Sequence, residues 1–446
     1  MRNCQSRADA LFPKKNSMGK IANFHELAKT SSRETALQIA EAGLAAIDTR
    51  HVVSQFVRVA GDMLLVRDKK FSLANVDRVL LVGVGKCALA ASAALEKILG
   101  ERLHGGIAVD VRPGRLDRVR AIAGNHPFPT EANIDATREI IALLSGMTER
   151  DLVIFVISGG GSTLLCQPGN FTCQMETGVI RCLFAAGAKI EEINTIRKHL
   201  SLARGGHLAK YAYPAKVISL IFSDVAHDDL QAVASGPTVR DETTAAEARE
   251  IMEKYGVESQ CAFSPEELME TPKEEKYFEK VDNIVLVNNS LALDAMGEAA
   301  AARGLKPQII TASLAGEASL QGKAIVEDLH KAPSSSALLY GGETTVTIRG
   351  RGRGGRNLEI ALSALPELSG DELVLAINTD GRDNCEYAGA ICDTMIMEEA
   401  SRLRLHYKTY LRDNNSYEFF RHAGGYLVTG DTGCNVADLV IALKMP

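Results

Sequence analysis

Seven short apolar runs constrain this chain more than anything else in its sequence. They are VDRVLLVGVG (76–85), RDLVIFVISGGG (150–161), AKVISLIFSDV (215–225), NIVLVNNS (283–290), SALLYGGET (336–344), ELVLAINTDG (372–381) and GGYLVTGDTG (424–433). None alternates polar with apolar. A strand with one wet face must alternate; a strand covered on both faces need not, and that is the condition of parallel strands packed between helices. Between the runs lie stretches with helical spacing: ETALQIAEAGLAAID (34–48), CALAASAALEKIL (87–99), EANIDATREIIALL (131–144), SLALDAMGEAAAARG (290–304) and NLEIALSAL (357–365). Strand–helix alternation predicts an α/β architecture. At 446 residues the chain exceeds one ordinary core, so two domains are expected. The charged, turn-rich stretch 259–280 separates two strand–helix series and places the boundary near residue 270. The division is then a disordered tail over 1–20, a first domain over 21–270 and a second over 271–446. The last residues are candidates for packing back on the first domain.

The residues that follow these runs are small, polar or acidic. The first run ends in Gly83-Val84-Gly85-Lys86, the second in Ser158-Gly159-Gly160-Gly161-Ser162, the third in Ser223-Asp224 with Asp228 and Asp229 close behind. Later come Gly341-Gly342-Glu343-Thr344, Thr379-Asp380-Gly381 and Thr429 to Gly433. Open α/β sheets bind ligands at the carboxyl ends of their strands. The 158–162 loop is a candidate phosphate cradle, with its backbone N–H groups and the start of a following helix turned to an anion; a tight βα turn is the purely structural alternative. The P-loop pattern GxxxxGK[ST] does not occur, and GVGKCALA meets only a relaxed dinucleotide pattern with Gly83, Gly85 and Ala88. Lys86, inside that loop, suits a phosphate or a carboxylate. Lys86, Lys198, Arg204, Arg353 and Arg356 are candidates for holding anions. Asp224, Asp228, Asp229, Glu343, Asp380 and Asp383 are candidates for Mg²⁺ or for taking a proton. Phosphoryl transfer needs both sets. Neither His199 nor His227 has a histidine or cysteine at metal-ligand spacing, so zinc is not expected.

Arg349 to Arg356 is a run of four arginines and four glycines. In a chain with a formal net charge of −6, such a tract acts locally and not as a general nucleic-acid binder. A Gly/Arg RNA-binding protein would place it in a disordered, aromatic-flanked segment of a basic chain. Here it divides into three. Thr344 to Ile348 reads as a half-exposed strand. Arg349 to Gly355 reads as a turn whose glycines let the backbone approach a ligand. Arg356-Asn357 opens a helix whose orphan N–H groups favour an anion. Arg353 and Arg356 are the expected ligand-facing pair; Arg349 and Arg351 are expected to face solvent or the edge of a nucleotide. Nine scattered cysteines, none in a CxxC pair, read as buried thiols of a reducing compartment. No apolar run approaches the ~20 residues of a membrane span, and the polar N-terminus is no secretory signal, so a cytoplasmic protein is expected.

The motifs ISGGGSTLL, INTIRKHLSLARGGHLA, VISLIFSDV, VASGPTV, GGETTVTIRGRGRGGRNLEIAL, NTDGRD and TGDTGCNVADL occur in this order over roughly residues 30 to 446. Together they resemble the class II glycerate kinases, whose C-terminal part is the MOFRL domain. The resemblance implies a larger Rossmann-like N-terminal domain, a smaller α/β C-terminal domain and an active site in the cleft between them. It implies transfer of the ATP γ-phosphate to the 2-hydroxyl of D-glycerate, with Mg²⁺, by a monomer or homodimer that meets neither nucleic acid nor membrane. By that resemblance Lys86 and Arg356 are the essential lysine and arginine; from the strand ends, Asp224 joins them as a catalytic candidate, and Ser158, Gly159, Gly160, Gly161, Ser162, Lys198, Ser235 and Gly236 are candidates for binding phosphate or nucleotide. Arg353, Asn357, Glu343 and Asp380 are candidates for binding substrate, with Asp224 and Asp380 as candidates for holding Mg²⁺ or for activating the hydroxyl. A hydroxypyruvate reductase on the same kind of sheet is the alternative; it would set Asp110, at the end of the next apolar stretch, on a dinucleotide ribose.

Overall fold

The computed structural model describes residues 19–225, 229–257, 261, 263–434 and 436–446. His227 and Asp228, and residues 1–18 of the expected tail, lie outside them. The chain divides into two compact units. The first holds Ala46–Leu291 with Gly433–Ala437; the second holds the N-terminal residues to Ala45, Ala292–Thr432 and Asp438–Pro446.

The first unit opens with a small antiparallel sheet of β1 (Val57–Ala60), β2 (Met63–Val66) and β3 (Lys69–Ser72). Its main sheet has six strands, all parallel: β4 (Arg78–Val84), β5 (Leu103–Asp110), β6 (Val119–Ala123), β7 (Asp151–Ser158), β8 (Lys216–Phe222) and β9 (Val281–Val287). Their spatial order is β6-β5-β4-β7-β8-β9. Counted from β4 this is 3-2-1-4-5-6, the doubly wound dinucleotide-fold order, in which the strand order, not the strand direction, reverses between the first and fourth strands. Every residue of β7 is buried, as its unalternating sequence predicts. Val82, Val84, Phe155 and Ile157 form the centre of one core face.

The second unit carries a mixed sheet of β10 (Lys306–Leu314), β11 (Ser336–Gly342), β12 (Glu372–Asn378), β13 (Gly389–Asp393), β14 (Tyr426–Leu427) and β15 (Asp438–Lys444), in the order β10-β11-β15-β12-β13-β14. Only β10 and β11 are parallel; the other pairs run antiparallel. The all-parallel expectation therefore fails in this half. Its runs fail to alternate because helices cover them, whatever the strand direction.

The expected boundary at 270/271 also differs from the structure. β9, beyond it, completes the first sheet against β8. At the other end, the helix Ser31–Ala46 packs with the second unit, where Arg33 grips Asp393 with two hydrogen bonds of 2.6 Å. Lys20 and Ile21 already donate their backbone N–H groups to Glu41, so the expected tail ends before them. The segment Gly433–Ala437 packs with the first unit, where Thr49 Oγ1 donates to the Gly433 carbonyl. Cys182 and Cys261 are joined by a disulfide, a departure from nine thiols. No helix among the described residues is long and apolar enough to cross a membrane.

Candidate active site

In the first unit, the reversal between β4 and β7 brings two of the predicted loops together. Gly85 has φ +124°, and a Cβ there would stand 2.6 Å from the Ser158 carbonyl oxygen, so only glycine lets the loop after β4 cross the end of β7. Lys86 N–H then donates to the Gly159 carbonyl at 2.9 Å. Gly160 is left-handed, and a Cβ on it would lie 3.2 Å from Lys86 Cγ and 3.4 Å from His126 Cδ2. Lys86, Gly160 and His126 therefore surround one spot. Buried Asn133 fixes that arrangement, accepting from Asn125 N–H at 3.0 Å and donating to the Thr163 carbonyl at 3.1 Å. Desolvation of the ring, then the positive charges of Lys86 and Arg197, lower the His126 pKa, although part of the residue stays open to solvent.

The rest of the predicted phosphate set divides. Ser162 Oγ and Ser235 Oγ share a hydrogen bond of 2.9 Å. Ala234, Ser235 and Gly236 are three consecutive residues with positive φ, an uncommon backbone held by bonds from Gly205 and Gly206 N–H to the carbonyls of Ser235 and Gly236. Gly161 packs on Ala234 so closely that a Cβ would stand 2.5 Å from that methyl. The helix expected after the loop is a single turn, Gly161–Leu164, so it adds little of the expected field. Ser158 is buried and accepts from Cys87 N–H, a structural duty.

Lys198 is turned away altogether. It is buried, ion-paired with Asp241 and bonded to Gln231 Oε1 at 3.3 Å. Arg204 is likewise buried on Glu176 at 2.5 Å. Each is matched by an internal carboxylate, so neither is presented to a phosphate. His199 packs inside, its ring bonded to the Met269 carbonyl and Thr243 Oγ1. Asp224 sits half-buried just beyond β8. Asp110 is buried and spent on Leu89 N–H and on Arg112, which removes the acid that the dinucleotide alternative needs for a ribose.

In the second unit Arg356 is the centre. Its Nε and Nη2 donate to the two carboxylate oxygens of Asp438, and its Nη1 lies 2.8 Å from Glu343 Oε1. Burial pushes the Asp438 carboxyl up to about 7, against the opposing pull of Arg356; the two acids in turn raise the arginine and keep it charged. The N–H groups of Asn357 and Leu358, expected to be open to a ligand, are capped by buried Asp383 at 3.2 and 2.8 Å. Arg353 is not beside Arg356 on a common anion. It is exposed, pairs with Glu386 at 2.6 Å and lies over the Tyr417 ring. Asp380, half-buried, accepts from Arg382 N–H at 2.9 Å.

The Gly/Arg tract contains no strand over Thr344–Ile348, only an isolated bridge from Thr345 to Glu317. Its glycines serve the protein's own backbone. A Cβ on Gly350 would meet Asp413 at 2.4 Å and one on Gly352 would meet Asn415 at 2.3 Å, while Asn414, Asp413 and Asn415 side chains accept from residues 349–353.

The family described as a domain of unknown function, DUF4147, matches residues 35–270, and the MOFRL family matches residues 336–438. A D-glycerate 2-kinase of Thermotoga maritima is 37% identical over 383 residues, 83% of this chain and 91% of that protein. The crystal structure of a glycerate kinase from Thermotoga maritima superposes with a TM-score of 0.81 at 34% identity, covering 92% of this chain and 99% of the other. The chain belongs to the glycerate kinase family. A relative from Agrobacterium vitis, provisionally named hydroxypyruvate reductase, is 39% identical over 81% of this chain and 86% of its own length. The family's members thus carry two names, and the buried, fully engaged Asp110 speaks for the kinase.

Three residues beside these predicted groups, one in the second unit and two in the first, escaped the sequence reading. Asp438 begins β15, and an antiparallel strand delivers its first residue, not its last, to the carboxyl ends of β11 and β12 beside Gly342 and Asn378. Arg197 neighbours Lys198, and successive helical positions point about 100° apart, so Lys198 is buried on Asp241 while half-buried Arg197 points elsewhere. His126 lay in the NHPFPTE segment, where nothing in composition or spacing separated it from a turn.

Proposed function

We propose that this chain transfers the γ-phosphoryl group of ATP to the 2-hydroxyl of D-glycerate, giving 2-phosphoglycerate. The observation that carries the reading is the meeting of Lys86, Gly160 and His126 where the strand order of the first sheet reverses, a cationic seat at the edge where such sheets take their ligands. The T. maritima relative's name, D-glycerate 2-kinase, supports the substrate. Among the described residues no group of three His, Cys, Asp or Glu side chains forms a metal cage. Mg²⁺ carried by nucleotide phosphates needs only one or two protein carboxylates, so half-buried Asp224 and Asp380 fit as single ligands. Bound with ATP, the ion neutralises charge on phosphate oxygens.

Lys86 supplies fixed positive charge beside the acceptor. The 159–162 loop holds its backbone close to Lys86 and His126. Arg356, kept charged and oriented by Asp438 and Glu343, neutralises phosphate; its fork suits two oxygens of one anion. The test is to incubate the protein with ATP, Mg²⁺ and D-glycerate and identify the product by NMR. 2-Phosphoglycerate is expected. Formation of 3-phosphoglycerate would move the attack to the neighbouring hydroxyl, and a protein that instead oxidises a nicotinamide cofactor with hydroxypyruvate would replace the reading.

A further inference from the structure

Arg197 differs from the cations nearest it, Lys198 and Arg204. Lys198 has Asp241 and Arg204 has Glu176, but the Arg197 guanidinium, half-buried on the helix Ile190–His199, makes no hydrogen bond or ion pair with any described residue. Burial, and the charge of Arg204 behind it, pull its pKa down to about 10; it remains charged at neutral pH and stands in a place that disfavours that charge. A guanidinium so placed is stabilised by an anion arriving from outside. The side chains around it narrow the choice. Arg197 and Lys86 both act on the His126 ring, which has no hydrogen-bond partner of its own among the described residues. Gly160 closes the floor so tightly that one added methyl would press on both Lys86 and His126.

We propose that Arg197 and His126, with Lys86, are the seat of the acceptor's carboxylate and so set the enzyme's preference for small 2-hydroxy acids over uncharged polyols. The assignment rests on the kinase reading above. Arg197 offers two parallel N–H groups, which match the two oxygens of a carboxylate. Neutral His126 adds one donor without adding charge. A phosphate oxyanion has the same basic chemistry, and the experiment separates the two sources.

Steady-state kinetics of Arg197→Gln are expected to show the KM for D-glycerate raised about 10- to 100-fold, the loss of a charge-assisted hydrogen-bonded contact, with the KM for ATP within about two-fold of wild type. Arg197→Lys restores part of the loss. His126→Gln, which keeps a donor, is milder than His126→Ala, and this pair serves if Arg197→Gln does not fold. A rise in the KM for ATP alone would assign the seat to a nucleotide phosphate and overturn the proposal, as would unchanged values for both substrates. Calorimetric titration of D-glycerate into the wild type and Arg197→Gln separates this outcome from failure of the kinase reading. If the wild type binds the acid and the variant does not, the carboxylate seat stands whatever reaction follows. If both bind it equally, the seat falls even where the kinase activity is confirmed.

Discussion

Arg356 illustrates how one residue serves structure and chemistry through the same contacts. Its partner Asp438 is 2% exposed, and burial already pushes that carboxyl to about 7 while the guanidinium pulls the other way. Removing the arginine leaves a buried carboxylate without a counter-charge, a loss of roughly 3 kcal/mol. The sign with pH follows from proton counting. The ordinary Asp value is 3.8, the folded value in Arg356→Ala rises above about 7, and the folded state then holds more protons than the unfolded one between those limits. Stability of the variant is therefore kept at low pH and lost as pH rises through that window. Urea denaturation of Arg356→Ala and wild type at pH 5 and pH 8 is expected to show the larger deficit at pH 8. An equal deficit at both would mean that Asp438 is not the stranded charge. The inactivity expected of this variant at neutral pH thus has two sources, and a melting curve must accompany its kinetics.

At the level of elements, the Gly/Arg tract was legible as special and misread in purpose. A sequence shows that glycine is needed; it does not show which neighbour crowds the position. Here the crowding comes from residues 413–416, sixty positions on and invisible to any local pattern. Gly352→Ala would drive a methyl to 2.5 Å from the Asp413 carbonyl oxygen and 2.3 Å from Asn415 Cβ, contacts that backbone cannot yield cheaply. A loss of about 1–3 kcal/mol is expected, read from chemical denaturation. Arg351→Ala, at an exposed position, should stay within about 0.5 kcal/mol of wild type. By contrast, the strand ends of the first unit, where Lys86, Gly160 and His126 meet, could be picked out from the sequence. Parallel strands all deliver their carboxyl ends to one side, so a local inspection of each run suffices. In the antiparallel part of the second sheet that rule breaks, and Asp438, at the amino end of β15, was lost with it. The helix Glu131–Leu144 was read to the residue because its apolar period is local; its Thr130–Asn133 cap lies at its first turn.

For the whole molecule, the sequence gives two α/β units but not where to cut. The charged stretch 259–280 has the composition of a linker, yet β9 follows it and belongs to the first sheet, because pairing with β8 over Val217 to Phe222 outweighs the local signal of a break. β8 is buried along nearly its whole length, so removing β9 would bare an apolar edge strand with unpaired backbone groups. The two candidate boundaries therefore predict different fragments. A chain of residues 21–270 lacks β9 and carries the helix Ser31–Ala46 without the second unit, against which Ala36, Leu37, Ile39 and Leu44 are buried and Arg33 is paired. A chain of residues 46–291 keeps all six strands in order. Gel filtration with circular-dichroism melting is expected to show 46–291 as a single species with a cooperative transition, and 21–270 as aggregated or without one. If 21–270 melts cooperatively and 46–291 does not, the composition of the linker, and not strand pairing, marks the edge of the first unit.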